Sequence, residues 1–156
     1  MLRKLVPCLF LLATAAAPVQ RPPDLMQILG EELTRNYQAL HARPDNPAYF
    51  VAYAVTERET TVISSSMGAL NSRDTSKSRV LDVTVRVGSP KLDNYHSVGG
   101  STGQFTRALA ISLEDTPEAI KQRLWTETDR VYRGAVQRLL QIQTNRDVTV
   151  SAGTAA

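Results

Sequence analysis

Cysteine is almost missing from this chain: of 156 residues one is cysteine, Cys8, and it sits in an apolar run near the N-terminus that reads as a cleaved leader. Beyond the leader the chain has no thiol to form a disulfide, bind a metal or act as a nucleophile. Histidine is scarce as well. His41 and His96 stand alone, with no HExxH-type pair, so no zinc site and no other cofactor is expected in this chain. Charge of one sign is lacking too. The formal charge is +3, but taking Arg3 and Lys4 from the 18 basic residues leaves 16 against 15 acidic ones. That balance gives no electrostatic case for a nucleic-acid partner. Beyond the leader no run approaches the roughly 20 apolar residues that span a bilayer, which argues against a stable membrane anchor.

What is present is an ordinary globular composition, 42% hydrophobic and 21% charged, enough for one domain. Met1-Leu2-Arg3-Lys4 is a short basic region, Leu5 to Leu12 an apolar one, and Ala13-Thr14-Ala15-Ala16-Ala17 a run of small residues. In that order they predict a secretory signal over residues 1–16 and a periplasmic or extracellular protein. Cys8 lies inside the apolar region and not after its small residues, so a lipoprotein signal is not expected. Residues 17–24 form a Pro-rich spacer with Pro18, Pro22 and Pro23.

From Asp24, a natural N-cap, Leu25, Ile28, Leu29, Leu33, Tyr37 and Leu40 recur at helical spacing, and the helix should end near Arg43-Pro44. Tyr49–Glu57 and Glu59–Ser66 are rich in aromatic, β-branched and hydroxyl residues and predict a hairpin turning at Glu57-Arg58, with Met67–Ser72 as a weaker third strand. Over Val80–Val87 the alternation is clean. Leu81, Val83, Val85 and Val87 share one face, and Asp82, Thr84 and Arg86 the other. Gly88 to Gly103 reads as an extended loop, and Phe105–Leu113 as an edge strand. Thr116 then caps a long helix with Pro117 at its first position and Glu118 in its first turn. Its stripe of Ile120, Leu124, Val131, Ala135, Leu139 and Ile142 predicts a helix to about Asn145, leaving residues 147–156 as a tail or linker. The fold class is therefore α+β: an antiparallel sheet of three to five strands flanked by two helices, in one domain over residues 25–146.

Few residues suggest chemistry. Asp93, His96 and Ser97 put a carboxylate, an imidazole and a hydroxyl within five residues, a weak polar-site candidate set against a solvated turn held by Asp93 and Asn94. Gly99–Gly103 lacks the lysine of a phosphate loop and reads as a flexible connection. Asp82 and Arg86 mark either a polar binding face or ordinary solvated sheet. His41 belongs to a helix end. Trp125, Tyr132, Val136 and Leu140 widen the apolar stripe of the long helix into a candidate partner-binding surface, with core packing as the alternative. No residue is assigned a catalytic role.

Several stretches carry a resemblance. Ser78–Gly88 followed by Lys91-Leu92-Asp93-Asn94, then Leu124–Tyr132, with the strand Tyr49–Val55 and the segment Ser64–Leu70, resemble the N-terminal region of exported, divergent TldD/PmbA-type proteins. The resemblance spans roughly residues 25–145. It implies the family's α+β N-terminal domain, which helps shape a peptide-substrate passage and a dimer. Zinc in that family belongs to a C-terminal domain with an HExxxH motif and a further cysteine, none of which has a counterpart in these residues. The expectation is a non-catalytic domain or fragment of such a metallopeptidase, acting in substrate admission or assembly. It would partner itself or a family-type C-terminal domain. The alternative is a free-standing periplasmic binding or interaction module.

Export predicts a defined new N-terminus. Protein recovered from outside the cytoplasm should begin immediately after Ala15 or Ala16, as N-terminal sequencing would show, and a chain that keeps Met1 in the cytoplasm would refute the leader.

Overall fold

Asp24 caps the first helix as expected of an N-cap: its carboxylate accepts the backbone N–H of Met26 at 2.6 Å. The structure is a computed structural model and describes residues 24–97, 107–114 and 116–154, the last eight of these as backbone only. Helix α1 runs from Leu25 to His41 and buries Ile28, Leu29 and Leu40. Strand β1 (Ala48–Ser66) and strand β2 (Ala69–Ser89) form one antiparallel ribbon. β3 (Leu92–Asp93) and β4 (Leu109–Ala110) add two short pieces, both antiparallel to β2, at opposite ends of its body section. Helix α2 runs from Pro117 to Thr154. The architecture is thus α+β, an N-terminal helix, a four-stranded antiparallel sheet and a long C-terminal helix packed on the sheet.

The alternation over residues 80–87 does what its period demands. Leu81, Val83, Val85 and Val87 are buried on one sheet face, with Tyr53 opposite Val83 and Val55 opposite Leu81. Both helices lie on that face, α1 over β1 and α2 over β2, and they touch each other. Of the α2 stripe, Ile120, Leu124, Ala135, Leu139 and Ile142 are buried and Val131 is half-buried against them. At roughly 1.5–3 kcal/mol for each large apolar side chain taken out of water, these two facing stripes dominate the stability of the body.

Four expectations need correction. Glu57-Arg58 is not a turn: β1 passes through it without a break, and Glu57 accepts from Arg79 Nε at 2.8 Å across the ribbon. The turn is Met67-Gly68, so residues 67–72 close the hairpin and begin its second strand and are not a third one. The long helix does not stop near Asn145 but continues to Thr154, so the expected tail is helical through that point. Of the expected edge strand at 105–113 only Leu109–Ala110 pairs, and the Gly-rich run 99–103 and Phe105 lie outside the described residues.

Gly88 is the tightest backbone position. Its φ of +96° is open to glycine alone in practice, and a Cβ there would come within 2.6 Å of the Leu92 carbonyl oxygen and 3.1 Å of Leu139. Gly88→Ala should therefore lower unfolding stability by roughly 1–3 kcal/mol in urea titration, through backbone strain and a clash where β2 turns into β3 beneath α2. An unchanged midpoint would count against this placement.

Candidate functional site

The ribbon is longer than the body that supports it. Both helices end their cover at about the Val55–Leu81 pair, and from Thr56 to Ser78 every residue is exposed. At about 3.3 Å per residue, the ten residues from Glu57 to Ser66 carry the hairpin some 33 Å away from the body. A bare two-stranded ribbon is marginal in water, and this one holds itself by side chains paired across it on the face continuous with the core. Arg79 bonds Glu57, Lys77 lies 3.1 Å from Glu59, and the Thr61 and Thr75 hydroxyls are hydrogen-bonded at 3.1 Å. Arg79 also donates to the Ser112 carbonyl at 3.1 Å, which anchors the root of the arm to the segment after β4.

The end of the arm is apolar. Val62, Ile63, Met67 and Leu70 are all exposed, Met67 wholly so. Met67 and Gly68 both have positive φ, +51° and +80°, as the two central residues of a two-residue hairpin turn. Asparagine is the usual first residue of such a pair because it tolerates this conformation, and methionine does not favour it. A fully exposed methionine held in such a turn contributes nothing to folding that asparagine would not do better. At the root of the same face, Leu25, Met26, Leu29 and Leu33 of α1 and Tyr53, Val55 and Glu57 of β1 line an apolar cleft of about 320 Å³.

Other predicted residues take structural places. Asp93 is buried, and its two oxygens are engaged: Oδ2 accepts from the Tyr49 hydroxyl at 2.6 Å and from Arg86 at 3.3 Å, and Oδ1 from the Tyr95 N–H at 3.0 Å. Asn94 is buried with it and clamps β2, donating to the Val85 carbonyl at 3.1 Å and accepting from the Val87 N–H at 2.9 Å. The turn is held by side-chain-to-backbone bonds as expected, but these two residues are not solvated. The His96 and Ser97 side chains are exposed, and the Asp93 carboxylate is directed at Tyr49 and Arg86. Arg86 in turn lies over the rings of Tyr95 and Phe50, 4.6 and 5.8 Å from their centroids. On the same outer face, one carboxylate oxygen of Asp82 is buried with no hydrogen-bond partner among the described residues. His41 stacks on Tyr37 and places Nδ1 3.0 Å from the Ala48 carbonyl oxygen.

The four helix residues expected to offer a partner surface do not form one patch. Tyr132 is core, 6% exposed, and its hydroxyl donates to the carbonyls of Asp45 and Asn46, which pins the α1–β1 connection to α2. Val136 is half-buried beside it, in a cleft of about 480 Å³ shared with Arg43–Asn46, Arg133 and Gln137. Trp125 and Leu140 are exposed, some four turns apart on α2. The arm itself was missed. Its signal lay in the run of residues 56–78, too polar to be buried and too rich in β-formers to be a loop.

Among the described residues no three His, Cys, Asp or Glu side chains come together as metal ligands, and no helix is long and apolar enough to cross a membrane. Comparison with protein-family models, with curated proteins and with solved structures found no match to the chain.

At the root of the arm, Tyr53 links three elements. Asn36 donates to the Tyr53 oxygen at 2.8 Å, the Tyr53 hydroxyl donates to Thr128 Oγ1 at 2.8 Å, and Thr128 donates to the Leu124 carbonyl at 2.7 Å. Burial, the largest cause, pushes the Tyr53 phenol above its ordinary range against the lowering effect of Thr128 and Asn36, and burial with the neighbouring Asp93 does the same for Tyr49. The folded chain therefore keeps two protons that the unfolded chain releases from about pH 10. Their contribution to stability is intact below that pH and is lost as pH rises through the raised values. Ultraviolet titration should show late-ionising tyrosines that return to the ordinary range in denaturant, with one fewer in Tyr53→Phe. Uniform ionisation near pH 10 in the folded protein would contradict this.

Proposed function

We propose that this chain is an exported, non-catalytic interaction module whose projecting hairpin is its recognition element. It would serve as the N-terminal assembly or substrate-admitting part of a TldD/PmbA-like metallopeptidase. The observation that carries the reading is the arm from Thr56 to Ser78, exposed along its whole length and tipped with Val62, Ile63, Met67 and Leu70. A chain gains nothing in stability by displaying large apolar side chains at the end of a marginal ribbon, and such display is the usual mark of a contact surface. The engagement of Asp93 by Tyr49, Arg86 and Tyr95 supports a structural role for that carboxylate over a hydrolytic one. Zinc and proteolysis belong, in this reading, to a separate catalytic domain, and no step on this chain is assigned to zinc. The resemblance of residues 78–94 and 124–132 supports the choice of family, and the alternative is a free-standing periplasmic binding module with the same arm.

Replacing residues 59–77 by an Asn-Gly turn should keep the helical circular dichroism and the melting transition of the body. It should abolish association with a purified TldD/PmbA-type zinc domain, read by sedimentation. Association that survives the shortening would overturn the role of the arm. If the intact chain ignores that domain, a photo-cross-linking side chain at Val62, compared with one at Arg123 on the exposed face of α2, decides for the alternative. Adducts specific to Val62 support a free-standing module, and their absence removes the interaction reading altogether.

A further inference from the structure

We infer that the occupant of the arm is a second copy of this chain, paired antiparallel through the free edge of β1 about a two-fold axis near Thr61. The inference rests on the reading of the hairpin as an interaction element and names its partner. The two edges of the ribbon differ. On the β2 side the arm carries Arg73, Asp74 and Lys77, and β4 pairs with its base, so charge and a covering strand guard that edge in the manner of native sheets. On the β1 side Thr60-Thr61-Val62-Ile63-Ser64-Ser65-Ser66 has no charge and no proline, and the extra residue of the one irregularity in this region lies on β2. An uncharged, β-branched edge of this length, exposed throughout, is a ready template for another strand.

Self-pairing suits it better than an unrelated strand does. Residues 57–78 carry three basic side chains (Arg58, Arg73 and Lys77) and three acidic ones (Glu57, Glu59 and Asp74), so two arms meet without net repulsion. In an antiparallel pair centred on Thr61, residue 61 faces its own mate, Ile63 faces Glu59, and Met67 reaches Val55. Glu59 is kept from its mate by four residues. Val55 is a wall of the apolar cleft on the β1 side of the body, where Leu25, Met26, Leu29 and Leu33 of α1 overhang it. The two-fold therefore delivers the exposed tip of each arm to the exposed root cleft of the other, and every contact is made twice, as an isologous dimer requires. This also accounts for methionine at the strained first position of the turn, since a flexible apolar side chain suits an irregular cleft.

The mature chain from Ala17 onward should sediment as a dimer at micromolar concentration. Ile63→Glu places a carboxylate on the open edge opposite the mate's Glu59, where like charges repel, and Met67→Asn suits the turn; each should leave the circular dichroism unchanged and weaken the dimer at least tenfold. Because no native cysteine is present after the leader, Thr61→Cys should form a disulfide-linked dimer under mild oxidation. Thr75→Cys, directly across the same ribbon but on the guarded edge, should not. A wild-type chain that stays monomeric to millimolar concentration overturns the inference, as does a dimer indifferent to Ile63→Glu or cross-linking equal at 61 and 75. A monomer that still gives Val62-specific adducts with another polypeptide would overturn this partner while leaving the interaction reading standing.

Discussion

The extent of helix cover over the sheet is the constraint on which the remaining features depend, and the hydrogen-bond chain through Tyr53 ties the two covering helices to the strand beneath them. Asn36 of α1, Tyr53 of β1 and Thr128 of α2 meet there, and Thr128 passes the last hydrogen to the Leu124 carbonyl. Polar groups this far from water carry a penalty unless they are paired, so the chain fixes the separation of the two helices as well as their height above the strand. Around it lie Ile28, Leu81, Val83, Leu124 and Leu139, all buried. Toward the arm the apolar face ends at the Val55–Leu81 pair, beyond which every residue from Thr56 to Ser78 is exposed. One continuous strand is core at its N-terminal end and solvent-exposed at its C-terminal end, and the boundary falls where α1 begins.

That boundary explains how the ribbon changes character without changing register. From Tyr53–Val83 and Val55–Leu81 the same face continues through Glu57–Arg79, Glu59–Lys77 and Thr61–Thr75. Apolar pairs give way to ion pairs and then to a hydroxyl pair. Exposed ion pairs are each worth about 0–1 kcal/mol, so the ladder holds the strands in register without making the arm rigid by itself. Arg79 is the exception. It is buried, shared between Glu57 and the Ser112 carbonyl, and makes the first of these pairs the anchored root of the arm. A pair with one buried cation is harder to break than its exposed neighbours, because breaking it leaves that charge uncompensated.

The body was legible in the sequence because each of its elements is amphipathic with one period. Asp24, the Leu81–Val87 alternation and Thr116-Pro117 announce their elements by local chemistry, and the structure keeps them. The arm was not legible for a physical reason. Glu57-Arg58 looks like a polar break when only neighbours along the chain are considered, and it is a strand only because Arg79 and Ser78 lie across from it. The true turn hides because Met67-Gly68 lacks the Asn-Gly pair that such a turn favours. Tyr132 misleads in the opposite direction. Helical spacing puts it on the flank of the stripe beside Trp125, and only the Asp45 and Asn46 carbonyls, supplied by a loop more than eighty residues away in sequence, make it core.

Among the described residues, the exposed apolar side chains of α2 and those of the arm differ in kind. Trp125 and Leu140 stand alone on α2, and scattered single residues of this sort are normal on any surface. Val62, Ile63, Met67 and Leu70 are gathered at the end of a lever, and one of them occupies a backbone conformation that its side chain disfavours. Folding alone selects against both the position and the residue, since an uncovered tip lowers solubility and a strained turn lowers stability. A feature opposed by folding on two independent grounds is what the proposed contact accounts for. In that reading the partner meets the tip of the arm, which lies beyond the cover of its own helices.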